Sequence, residues 1–216
     1  MGHASKKMRL TTILLFLILS SCGDLVRFET PQPEGQKDEK SIPRRLTGVY
    51  FNIDDSTKLT VTTKEIIETL EKDFKGLLTE LDSVDRATIK TDTSFSETSE
   101  NMRIDMVVKG DSIFQHLDYK DTLFTFDKND ILRKFKGYYF LNRQRSANSW
   151  SVTKLTKTKK GIILGTVSDK TDIENLRELT DTKADTVYNF RPTKKQLRQF
   201  LNDKGFQNEK IFIKIE

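Results

Sequence analysis

From residue 46 onward the apolar positions mostly recur with a period of two, the pattern of half-buried strands. Leu46-Thr47-Gly48-Val49-Tyr50-Phe51-Asn52 is β-branched and aromatic, and it runs into turn residues at 52–56. The clearest stretch covers 136–168. One strand is expected over about 136–143, a polar turn over 145–148, and a second strand over Trp150 to Lys157. A Lys159-Lys160-Gly161 turn then leads to a third strand at 161–167, completing an antiparallel meander. Tyr138 and Phe140 project to one face of the first strand, Tyr139 and Leu141 to the other. Apolar groups on both faces predict a central strand in a barrel, a sandwich or a helix-covered sheet. Further strands are expected at 102–109, 112–119 and 122–126, and an alternating strand, Ile211-Phe212-Ile213-Lys214-Ile215, closes the chain. The expected class is mainly β within an α+β framework.

Two segments depart from this period. Ile66, Leu70, Phe74, Leu77, Leu78 and Leu81 fall at helical spacing, and Thr62-x-x-Glu65 matches a capping box, so a helix is predicted over about 63–83. Paired strands are the competing pattern, because Leu59 to Ile67 is rich in β-branched residues. A second helix is predicted over 193–204. It starts after Pro192, carries Leu197, Phe200 and Leu201, and stops at Gly205. The motif Asp-Thr-x-aromatic recurs at Asp92, Asp121 and Asp185, but the unequal spacings exclude a solenoid repeat.

The N-terminal pattern is different again. Lys6, Lys7 and Arg9 precede an unbroken apolar run, Ile13 to Leu19, followed by Ser20, Ser21, Cys22 and Gly23. The run is well short of the roughly 20 residues that span a bilayer, so it reads as the core of a secretory signal. Leu19-Ser20-Ser21-Cys22 resembles the lipobox of bacterial lipoproteins. That resemblance implies cleavage before Cys22, a diacylglycerol thioether on its sulfur, and acylation of the new amine. The chain as a whole resembles the small lysine-rich lipoproteins of Bacteroidota-type bacteria, through its short signal, polar linker and the hairpin from Lys134 to Trp150. The expected location is the cell envelope, with the outer membrane preferred.

Residues 1–21 are therefore expected to be signal, and 22–44 a lipidated cysteine with a flexible tether. The tether holds Pro31, Pro33 and Pro43 and the charged run Lys37-Asp38-Glu39-Lys40. One globular domain is expected from 45 to 216.

Composition narrows the chemistry. Of 37 basic and 32 acidic residues, the signal removes three basic ones, leaving a net charge of only +2. Nucleic acid is excluded as an expected partner. Cys22 is the only cysteine, and lipidation consumes it, so disulfides, thiol catalysis and cysteine metal sites are not expected. His116 is the only histidine after the signal, which excludes a multi-histidine zinc site. It lies on an alternating strand and shares a face with Phe114 and Asp118, so an Asp-supported imidazole is geometrically possible, but an ordinary cross-strand polar pair is expected. No phosphate loop, HExxH or G-x-S-x-G is present, and neither a catalytic site nor a cofactor is expected.

The leading expectation is a non-enzymatic binding or assembly module that meets membrane lipid through Cys22 and an envelope protein through its β domain. One alternative is a barrel-type carrier of a small apolar ligand lined by Tyr138, Phe140 and Trp150. The other is an immunity or inhibitor lipoprotein.

Overall fold

A computed structural model describes residues 26–81, 93–183 and 188–215. The chain is mainly β, with fourteen strands and two α-helices among the described residues. It divides into two units. The larger holds 24–69 and 121–216, and the smaller includes 70–120. The boundaries fall inside two strands, β5 (Glu65–Leu77) and β8 (Ser112–Thr125).

In the larger unit the meander forms as expected. β9 (Ile131–Phe135), β10 (Tyr138–Ser146), β11 (Ser149–Lys157) and β12 (Gly161–Thr166) pair antiparallel in chain order. A two-residue turn joins β9 to β10. Lys136 and Gly137 both have positive φ, 50° and 88°, the geometry that matches the twist of paired strands. Beyond β12 come β14 (Asn208–Lys214), β3 (Gly48–Phe51), β4 (Lys58–Val61) and the first half of β5. At the opposite edge β2 (Asp38–Glu39) pairs with β9, and this ladder does not close on itself.

Each face of the meander is buried. Tyr139, Leu141, Leu155, Leu164 and Phe212 share one core with Leu46, Tyr50, Leu59 and Ile66. Phe135, Phe140, Trp150 and Val152 share a second with α1 (Lys170–Thr180) and α2 (Lys194–Asn202). The second helix follows its sequence signals: Thr193 Oγ1 accepts from the Gln196 amide while Gln196 Oε1 accepts from Thr193 N, a reciprocal cap. α1 is absent from the sequence reading. Asp169 caps it by accepting from Thr171 N at 2.8 Å, and Ile173 and Leu176 bury its inner face.

The tether expected over 22–44 is ordered from Val26. β1 (Val26–Phe28) runs parallel to β13 (Tyr188–Phe190) and antiparallel to β11, with Phe28 opposite Trp150. Val26, Phe28 and Ile42 are buried in the two cores. The polar linker residues are fixed by groups distant in sequence. Asn142, wholly buried, accepts from Gln32 N at 2.6 Å and donates to Gln32 O at 2.9 Å. The Arg133 guanidinium donates to Asp38, to the Pro31 carbonyl and to the Pro33 carbonyl. A proline-rich polar sequence lacks the apolar area to order itself, but here its backbone satisfies buried donors and acceptors of the sheet.

In place of the helix predicted over about 63–83, the competing strand pattern holds over β5, Glu65–Leu77. Ile66, Leu70 and Phe74 are four residues apart, and a spacing of four fits one face of a strand as well as one face of a helix. The apparent capping box is a hairpin turn: Thr62 Oγ1 accepts from the amides of Lys64 and Glu65, and Thr62 N donates to the Glu65 carbonyl. Only Leu78–Glu80 turns, as a single 3-10 turn.

In the smaller unit the order is β5, β8, β7 (Met102–Lys109) and β6 (Ser94–Thr98), with β8–β7 and β7–β6 antiparallel. Its own core is Leu78, Leu81, Val108 and Ile113, with Met106 packed beside them.

Candidate functional site

Leu19, Ser20, Ser21 and Cys22 lie outside the described residues. Tyr138, Phe140 and Trp150 are brought together in one core cluster. Phe140 is wholly buried edge-on to Phe206, with centroids 6.0 Å apart, and Trp150 sits between β1 and β10. The Lys154 ammonium lies 5.6 Å from the Tyr138 ring centroid and 5.7 Å from that of Phe206, and donates to Gly205 O at 3.2 Å. The ammonium is thus held against both rings. The two helices fill the rest of that face, and the sequence reading lacked one of them.

Three further ionisable groups in the larger unit serve the fold. Asp130 accepts from Thr125 N at 3.0 Å and Gln144 N at 3.1 Å, and burial raises its pKa despite these bonds. Asp172, wholly buried in the first turn of α1, accepts from Gln207 N at 2.7 Å; burial raises it as well. Lys210 joins three elements: it meets Glu68 at 3.0 Å and Asp55 at 3.1 Å. Burial opposes its charge, yet the two carboxylates hold it above its usual value. Asp55 is pushed up by burial but held lower on balance by Thr57 and Lys210. These contacts clasp β14 to β5 and to the β3–β4 turn.

In the smaller unit His116 makes the cross-strand polar pair expected for it, with Asp73 and not with Asp118 of its own strand. Its Nδ1 lies 2.8 Å from Asp73 Oδ1 on β5, and Asp105 is its register partner on β7. Asp118 lies opposite Arg103 instead. The bond to Asp73 raises the imidazole above 6.5; desolvation opposes this, and the charges of Asp73, Glu71 and Asp105 reinforce it. A raised histidine stabilises the fold below its unfolded value, and that contribution disappears as pH rises through the folded one. In a proton NMR titration His116 is expected to titrate above 6.5, and Asp73→Asn to bring it down. An unchanged midpoint in the variant would remove Asp73 as the cause. Among the described residues no group of three His, Cys, Asp or Glu side chains is disposed to hold a metal.

The feature that packing leaves unexplained is the outer face of β12, β14 and β3. Phe212 points into the core, while its neighbours Ile211 and Ile213 are 55% and 37% exposed. Ile211 lies opposite Ile163, and Ile213 opposite Phe51. Ile215 donates its amide to Val49 O, extending the stripe, and both Ile53 and Ile215 are exposed. The alternation Ile-Phe-Ile-Lys-Ile carried a signal for this, since it places apolar groups on both faces of the strand. It could not tell that only one face is covered.

No helix among the described residues is long and apolar enough to cross a membrane. The chain matches no protein-family model, no curated protein and no solved structure at a significant level.

Proposed function

We propose that the chain is a lipid-anchored protein of the bacterial cell envelope, with the outer membrane preferred, whose β-rich domain is a non-enzymatic module that binds another envelope protein. The anchorage rests on one observation: the basic stretch, the apolar run Ile13 to Leu19, and Ser20-Ser21-Cys22 in that order. Two or three acyl chains on Cys22 give stable attachment, because one chain alone binds only marginally.

Binding in preference to catalysis is supported by how the buried ionisable groups are used. Asp130, Asp172, Glu68 and Lys154 each hydrogen-bond within the fold. A protein partner is supported by the isoleucine stripe on β12, β14 and β3, since contiguous apolar surface on a soluble face marks interaction sites.

Two measurements test this reading. Mass spectrometry of the mature N-terminus is expected to find a diacylglycerol-modified Cys22, and Cys22→Ala to release the protein from membranes. A photocrosslinker at position 211 is expected to give one adduct with an envelope protein in living cells, and one at exposed position 128 none. The purified partner is then expected to lose at least tenfold in affinity for the Ile211→Lys, Ile213→Lys variant. Identical adducts from both positions, or undiminished affinity, would overturn the binding assignment.

A further inference from the structure

We propose that the domain is pressed against the bilayer and not held away from it, so that the phospholipid surface is itself a partner of the face around β1. This rests on the lipid-anchor reading above, and it follows from how near Cys22 the strand β1 lies in the sequence. Val26 and Phe28 are 6% and 1% exposed, locked between β13 and β11. Glu29 N continues the ladder by donating to Phe190 O at 2.9 Å. Only residues 23–25 separate Cys22 from this fixed strand.

Chain length sets the limit. Four residue steps, fully extended, reach about 14 Å. A free linker running to Arg45 would have given a typical separation of about 25 Å. The polar headgroup layer takes up about 5–8 Å of the shorter reach on the anchored side. What remains, at most about 9 Å, is less than the diameter of one helix with its side chains, so no second protein layer fits beneath β1.

The strand adds a constraint on orientation. A disordered linker lets a domain swivel, whereas β1 is hydrogen-bonded on both edges and fixes which face looks down. Arg27, on the side of β1 opposite Val26 and Phe28, sends its guanidinium to Ser151 Oγ at 3.2 Å. Arg145 reaches the same oxygen at 2.8 Å. Two guanidinium groups beside the anchored strand suit a surface of phosphate headgroups.

The molecule carries its own probe. Trp150 is the only tryptophan and lies in register with Phe28. Acylated full-length mature protein would be reconstituted in phosphatidylcholine–phosphatidylglycerol vesicles containing dansyl-labelled headgroups. Energy transfer from Trp150 would be compared with that of a variant carrying a 20-residue Gly-Ser spacer between Gly23 and Asp24. Mass spectrometry would verify acylation of both proteins, and thermal unfolding would verify that the fold is intact. Strong transfer that falls several-fold in the spacer variant is the expected result. Equal transfer in two acylated, folded proteins would overturn apposition while leaving the anchor standing. A Cys22 without acyl chains would overturn the anchor, and apposition with it.

Discussion

Phe28→Ala is expected to destabilise the larger unit by about 3–5 kcal/mol, the usual cost of removing a buried phenylalanine side chain. Phe28 is 1% exposed, tilted against Phe190 with centroids 6.3 Å apart, and opposite Trp150 in the ladder. The void would open between β1 and the helical layer, where Val26, Trp150 and Val152 are already packed. Urea unfolding of mature protein in a Cys22→Ser background measures the loss directly. A residue in a disordered linker would change stability by no more than about 0.5 kcal/mol. A result in that range would mean that the segment from Val26 does not belong to the fold.

The second large effect is expected at Gly161. A Cβ added there would stand 1.9 Å from Phe212 O and 3.0 Å from the Ile213 Cα. The obstacle is backbone, so no rotamer change relieves it, and β12 and β14 would have to part at the start of their shared ladder. Overpacking generally costs about 1–3 kcal/mol and occasionally more; Gly161→Ala is expected at about 3 kcal/mol or above. Amide exchange should quicken across Ile162, Phe212 and Ile213 first. Unaltered stability would mean that the two backbones are not this close. The sequence suggested a turn glycine here, whereas the need is for room and not for a left-handed backbone.

Local pattern carried much of this fold. The meander, β7 and α2 each have their own periodicity and punctuation, so residues within a dozen positions of one another were enough to place them. What escaped depends on distant partners. The linker looks disordered because the groups that order it, Asn142 and Arg133, lie about a hundred positions away. The strand at Glu65–Leu77 looks helical because every fourth residue is apolar, a spacing that both periods accept. Exposure of Ile211 and Ile213 was equally hidden, since alternation names two faces but not what covers them. Tyr138 and Phe140 were placed on one face correctly, and Trp150 was expected to face the core, as it does. Lys154 lies against the Tyr138 ring on that face.

The boundary that runs inside β5 and β8 has an energetic meaning. Every residue of the two principal cores belongs to 24–69 or 121–216, and every residue of the third belongs to 70–120. With six buried apolar residues among those described, the shorter segment opens at lower free energy than its host. The molecule then has two melting free energies instead of one. Selection can lengthen, shorten or rewrite the 70–120 excursion while the host keeps its own thermodynamics.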